Sequence, residues 1–291
     1  MSRSKLQLFL LIPVLLLLLL SQVVLAQELN TPAPSPKGTV TQIVGLTEVS
    51  ISYSRPGVKG RVIFGDLVPY GELWRTGANN STTLKFADDV QIGGKAVPAG
   101  EYALFTIPQK DEWTIIISKS IGWGTGEYKE EQDIARFTVP AQKLGKSVER
   151  LTIEIADMTN NSANIVVKWD RTAVSFALTC DTDAKVMSQI NQIMQNPPAD
   201  NANVYYNAAN YYFETGKDLG QALKWVDKSI SLKPDAFWMV RLKSRVQAKM
   251  GNYEAAIATA RLGIEAAKKA NNEQYVKFNE EAIVEWSKKV N

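Results

Sequence analysis

The chain has 291 residues, with 33 basic against 30 acidic side chains, a formal net charge of +3, one cysteine and no histidine. A near-neutral surface lacks the basic footprint that nucleic-acid binding demands. Without imidazole there is no Ser-His-Asp or Cys-His machinery and no histidine-ligated metal, and one cysteine builds neither an internal disulfide nor a thiolate metal site.

The N-terminus carries an export pattern. Arg3 and Lys5 precede an apolar run from Leu8 to Leu20, and Val24-Leu25-Ala26 places small residues before Gln27. Charge, short apolar core and small-residue exit together predict a signal peptide over residues 1–26, with cleavage between Ala26 and Gln27. A spanning helix needs about 20 apolar residues, so a mature form that does not span the membrane is expected, in the periplasm or outside the cell. An uncleaved N-terminal anchor is the alternative. No cysteine near Ala26 offers a lipid-anchor site.

Residues 27–37 are rich in Pro and Ser and read as a flexible leader. From Thr39 to Thr179 the pattern is strand-like. Val49, Ile51 and Tyr53 alternate with serines, and Leu84 and Phe86 with Thr83 and Lys85. Segments around 91–92, 101–107, 113–117, 135–139, 151–155, 165–169 and 174–178 behave similarly. Gly93-Gly94, Pro98-Ala99-Gly100, Pro108–Asp111 and Asp157–Asn161 supply the turns. Short strands at this spacing predict an antiparallel β-sandwich over 38–180. Cys180 ends an apolar segment and reads as a buried structural thiol.

The period then becomes helical. Ala184, Met187, Ile190 and Met194 line one face of a helix predicted over 182–195, and Pro197-Pro198 ends it. Ala222, Leu223 and Ile230 recur as Ala256, Ile257 and Ile264, at the 34-residue period of the tetratricopeptide repeat. Tyr212, Gly216, Ala222 and Pro234 fit that consensus, as do Gly251, Tyr253 and Ala256. A last helix is predicted over 272–289. The expected fold class is therefore β plus α in two domains: the β-sandwich, then a tetratricopeptide-like helical segment over 181–291.

One stretch fits neither period. It runs Tyr53-Ser54-Arg55-Pro56-Gly57-Val58-Lys59-Gly60-Arg61, then Ile63 to Gly71, then Trp74-Arg75-Thr76-Gly77-Ala78-Asn79. With Ile92-Gly93-Gly94 and the run Pro98 to Pro108, these residues resemble an exported bacterial family, the domain of unknown function twenty-nine-eleven. The resemblance covers about residues 36–180, and members with a helical-repeat tail resemble the whole mature chain. It implies export and the two-part architecture, and no activity.

Long loops on a rigid β scaffold are where function usually sits. Arg55, Lys59, Arg61 and Arg75 are candidates to converge on an anion, because guanidinium forks match carboxylate and phosphate. Trp74 and Tyr70 would form a stacking floor for a sugar or aromatic ring, with Asn79 and Thr76 as neutral hydrogen-bonding groups. The competing expectation is structural: Arg75 pairs with Asp66 or Glu72, and Trp74 plugs the sandwich. Three function classes follow. The first is a non-catalytic binding or interaction module with a protein partner on the helical repeats. The second is a binder of a small anionic or carbohydrate ligand through residues 53–79. The third is a carboxylate-based hydrolase, with Asp66, Glu72 and Glu101 as candidates. No cofactor, metal or catalytic residue is assigned.

Overall fold

The computed structural model describes residues 29–290. The expected signal peptide and its cleavage site lie outside the described residues. Two compact units meet between Cys180 and Asp181.

The first unit is a nine-stranded antiparallel sheet. Its strands are β1 (Lys37–Val44), β2 (Thr47–Ser54), β3 (Thr82–Phe86), β4 (Val90–Ile92), β5 (Lys95–Val97), β6 (Gly100–Pro108), β7 (Glu112–Ser118), β8 (Asp133–Ala156) and β9 (Ser162–Cys180). Their spatial order is β1-β2-β3-β6-β7-β8-β9-β4-β5. In β2 the alternation is direct: Thr47, Val49, Ile51 and Tyr53 are buried, while Glu48 is exposed and Ser50 and Ser52 only half-buried. The sheet folds over on itself. Val49, Ile51 and Leu84 share one core with Ile153, Ile165 and Val167 of β8 and β9, which is the two-layer packing of a sandwich. Cys180 is buried at the end of β9.

Two strands run longer than their sequence suggests. The segments around 135–139 and 151–155 are parts of one strand, β8, and those around 165–169 and 174–178 are parts of β9. β8 pairs with β7 through Pro140 and with β9 from Ala141 onward. The alternation breaks because the register shifts between Lys143 and Val148 and again before Thr152, as β-bulges do. Asp170, at φ 48, interrupts β9 in the same neighbourhood. The Gly93-Gly94 turn joins β4 to β5, both glycines having positive φ.

Of the leader, the segment just before β1 is held in place. The Pro36 carbonyl accepts from the Arg55 amide, and the Pro34 carbonyl from Arg150 Nη1.

The second unit has six helices: α1 (Thr182–Gln195), α2 (Ala202–Glu214), α3 (Leu219–Leu232), α4 (Phe237–Lys249), α5 (Tyr253–Lys269) and α6 (Glu273–Ser287). Asp181, Asn201, Asp218 and Asn272 cap α1, α2, α3 and α6 through their side chains. α2–α3 and α4–α5 are the two repeated hairpins. Gly216 and Gly251, at φ 69 and 84, turn the chain after α2 and α4. Ala222 and Ala256 are fully buried at equivalent positions, where a larger side chain would push the paired helices apart. No described helix is long and apolar enough to cross a membrane.

Candidate functional site

The connection from β2 to β3 is long, and it is pinned at several points. The Gly57–Arg150 bridge ties its start to β8, with Val58 N donating to Glu149 O and Leu151 N to Pro56 O. Trp74 and Thr106 exchange both backbone hydrogen bonds, so the loop adds a rung beside β6. Val58, Ile63, Val68 and Trp74 anchor it in the core. Thr76 is fully buried at φ 54, its hydroxyl 3.1 Å from the Thr106 hydroxyl and its carbonyl receiving Thr82 Oγ1 at 2.8 Å. A left-handed residue other than glycine is held there by its surroundings.

Four aromatic rings meet under this loop. Trp74 stacks on Trp169 of β9, with centroids 5.7 Å apart and planes 18° from parallel. Phe64 sits 4.9 Å from Trp113 of β7 and 5.9 Å from Trp74. The Trp74 indole donates to Gly77 O at 3.1 Å.

A cavity of about 320 Å³ opens beside this cluster. Lys59, Arg61 and Arg75 supply its charge, Trp74 and Trp169 its aromatic surface, and among the described residues no Asp or Glu lines it. Arg61 is exposed but committed to its own loop, donating from Nε to Val58 O at 3.1 Å and from Nη2 to Gly57 O at 2.6 Å. These carbonyls orient the guanidinium without neutralising it. Arg75 is different. Its Nε is buried with no hydrogen-bond partner, and burial lowers its pKa. No ion pair to Arg75 occurs among the described residues, so the expected pairing with Asp66 or Glu72 is not formed. Trp169 Nε1 is a second buried donor without a partner. An unmet buried donor costs about 1–3 kcal/mol, and here both belong to residues lining one cavity.

The other expected site residues lie elsewhere. Arg55 reaches across to β8, donating from Nε to Leu151 O at 3.0 Å and from Nη2 to Thr152 Oγ1 at 2.9 Å. Tyr70 is exposed and lies over Gly65, where an added Cβ would come within 2.7 Å of its ring. Asn79 donates to Ser54 Oγ at 3.2 Å and borders a different, hydroxyl-rich depression that also contains Glu101. Asp66, Glu72 and Glu101 are exposed, and none lines the arginine cavity. Sequence reasoning missed Trp169, Phe64 and the leader residues Pro34 and Ser35, which wall the cavity or support its floor. Trp169 carried no signal beyond its place in a strand.

A family model described as "Protein of unknown function (DUF2911)" matches residues 35–178, which takes in the whole loop and all four rings. No curated protein matches the chain.

Proposed function

Because the chain belongs to the DUF2911 family through residues 35–178, whose description assigns no activity, we propose from the site itself that it is an exported, non-catalytic binding protein. Its β unit holds a small anion, a carboxylate or phosphate, that carries an apolar part. The observation behind this reading is Arg75: a guanidinium with no counter-ion among the described residues, its Nε buried and unpaired, on a cavity that no described carboxylate lines. An oxyanion would satisfy that donor and the charge at once, and charge-assisted contacts of this kind are the strong ones. Lys59 and Arg61 add positive potential at the mouth, and the face formed by Trp74 and Trp169 takes the apolar portion. Export rests on the order of Arg3 and Lys5, the Leu8–Leu20 run and Ala26.

Tryptophan emission offers the test, because Trp74 and Trp169 border the cavity. Titration with benzoate, glucuronate and inorganic phosphate, with glucose as the uncharged control, should give saturable quenching by at least one anion. Arg75→Ala should abolish it. Quenching by glucose alone, or an unchanged response in Arg75→Ala, would remove the anion reading.

A further inference from the structure

The helical unit carries a second concave surface with chemistry of its own. A groove of about 610 Å³ runs along α2, α4 and α6. Four cations line it, Arg241, Arg245, Lys249 and Lys289, against two acids, Glu214 and Glu285. Both acids are already taken. Arg245 pairs with Glu214 at 3.2 Å and Lys289 with Glu285 at 2.9 Å. Arg241 and Lys249 have no carboxylate partner within ion-pair distance among the described residues. Lys249 Nζ donates to the Phe213 carbonyl at 2.7 Å. Arg241 lies over the Phe278 ring at 4.8 Å and reaches Asn279 Oδ1 only at 3.5 Å. Burial and the neighbouring Arg245 charge lower its pKa, with Tyr275 and Glu281 acting weakly the other way.

We propose that this groove binds an acidic peptide segment of a partner protein, with Arg241 and Lys249 each receiving a carboxylate. Ala248, Ala282 and Trp286 make an apolar floor between the charges, which suits a peptide alternating acidic and apolar side chains. Single-stranded nucleic acid fits poorly. It needs free aromatic faces for its bases to stack on, and here Arg245 and Lys249 cover Phe213 at 4.5 and 4.7 Å, Lys289 lies over Tyr253 at 5.4 Å, and Trp286 is only 7% exposed, too little for a base to stack on. This site shares no residue with the arginine cavity of the β unit.

The probe is a fluorescein-labelled octapeptide alternating glutamate and leucine, titrated with the full chain and read by anisotropy. Saturable binding is expected, weakening as salt rises. Lys249→Gln alters an exposed side chain, and Arg241→Gln a half-buried one. Each should weaken binding about tenfold or more, the loss of one charge-assisted contact. Arg75→Ala should leave it unchanged, so the two sites fail or stand separately. If Arg241→Gln lowers the melting temperature, Lys249→Gln alone decides. Any of three results overturns the proposal: no saturable binding, equal binding of the same peptide with glutamine for glutamate, or a decathymidylate that binds as tightly as the acidic peptide.

Discussion

The Tyr53 hydroxyl and the Ile153 backbone are doubly bonded: the hydroxyl donates to the Ile153 carbonyl at 3.1 Å and accepts from the Ile153 amide at 2.9 Å. One side chain of β2 thus staples the facing layer of the sandwich, in a buried setting. Tyr53→Phe keeps the ring and strands both backbone groups. It should cost about 1–3 kcal/mol and lower the melting temperature by about 3–10 °C. Thermal denaturation by circular dichroism checks this, and an unchanged midpoint would show that water replaces the hydroxyl.

Arg75→Ala should behave in the opposite way. Removing one partner of a buried ion pair costs about 3–5 kcal/mol, but Arg75 has no such partner. Its replacement should stay within about 0.5 kcal/mol of the parent, or stabilise the fold by removing a desolvated cation. A fall in melting temperature of about 10 °C would mean the guanidinium holds the loop after all.

The Gly93-Gly94 turn gives a paired comparison. Both residues have positive φ, yet a Cβ on Gly93 would lie 2.5 Å from Cζ of Phe137, and one on Gly94 would meet nothing within 4 Å. Phe137 is itself packed against Phe176, at 6.0 Å between centroids. Gly94→Ala should therefore cost only the left-handed backbone penalty, about 1–2 kcal/mol. Gly93→Ala should add overpacking and reach about 2–5 kcal/mol in all. Equal melting temperatures for the two variants would contradict the close approach.

Acid should loosen α1 through Asp183. Its carboxylate accepts from Tyr211 Oη at 2.6 Å and from Lys217 Nζ at 2.9 Å, and these bonds lower its pKa. A depressed folded-state value means the contribution is complete above the unfolded-state pKa and is lost as pH falls through the folded one. Tyr211 moves the other way, pushed up to about 12 by burial and by its bond to Asp183, so its share persists until strongly alkaline pH. In Tyr211→Phe, carboxyl NMR should find the Asp183 midpoint raised toward the ordinary value. An unmoved midpoint would mean that Lys217 alone sets it.

Residues 38–180, expressed alone, should fold, since the core of the β unit is drawn from within that span. A strand-type circular dichroism spectrum with a cooperative melt is the expected result, and a disordered spectrum would sink the prediction.

Local signals are legible in the sequence where one element makes them. The helix expected over 182–195 is Thr182–Gln195, and Gly216, Gly251 and Gly93-Gly94 turn the chain where a residue without Cβ is needed. β8 and β9 each looked like two strands because a bulge breaks the alternation without ending the pairing. The site was only partly legible. Lys59, Arg61, Trp74 and Arg75 share the cavity, whereas Arg55 turns to β8 and Asn79 to Ser54. Nearness along a loop does not say which side of the loop a side chain leaves from. Trp169 lies far downstream and joins Trp74 only through strand order, which single-sequence periodicity does not encode.

The strand order also sets a schedule for synthesis. The β4–β5 hairpin, Val90 to Val97, is made between β3 and β6, yet those two strands pair with each other and leave it aside. Its own neighbour is the last stretch of β9, Leu178 to Cys180. While the chain grows, the hairpin has no sheet to join, and pairings this distant in sequence form slowly. Closure of the β unit therefore waits for its final residues, and until Leu178 to Cys180 are made the hairpin's outer partner is missing and the two-layer core stays open at that edge.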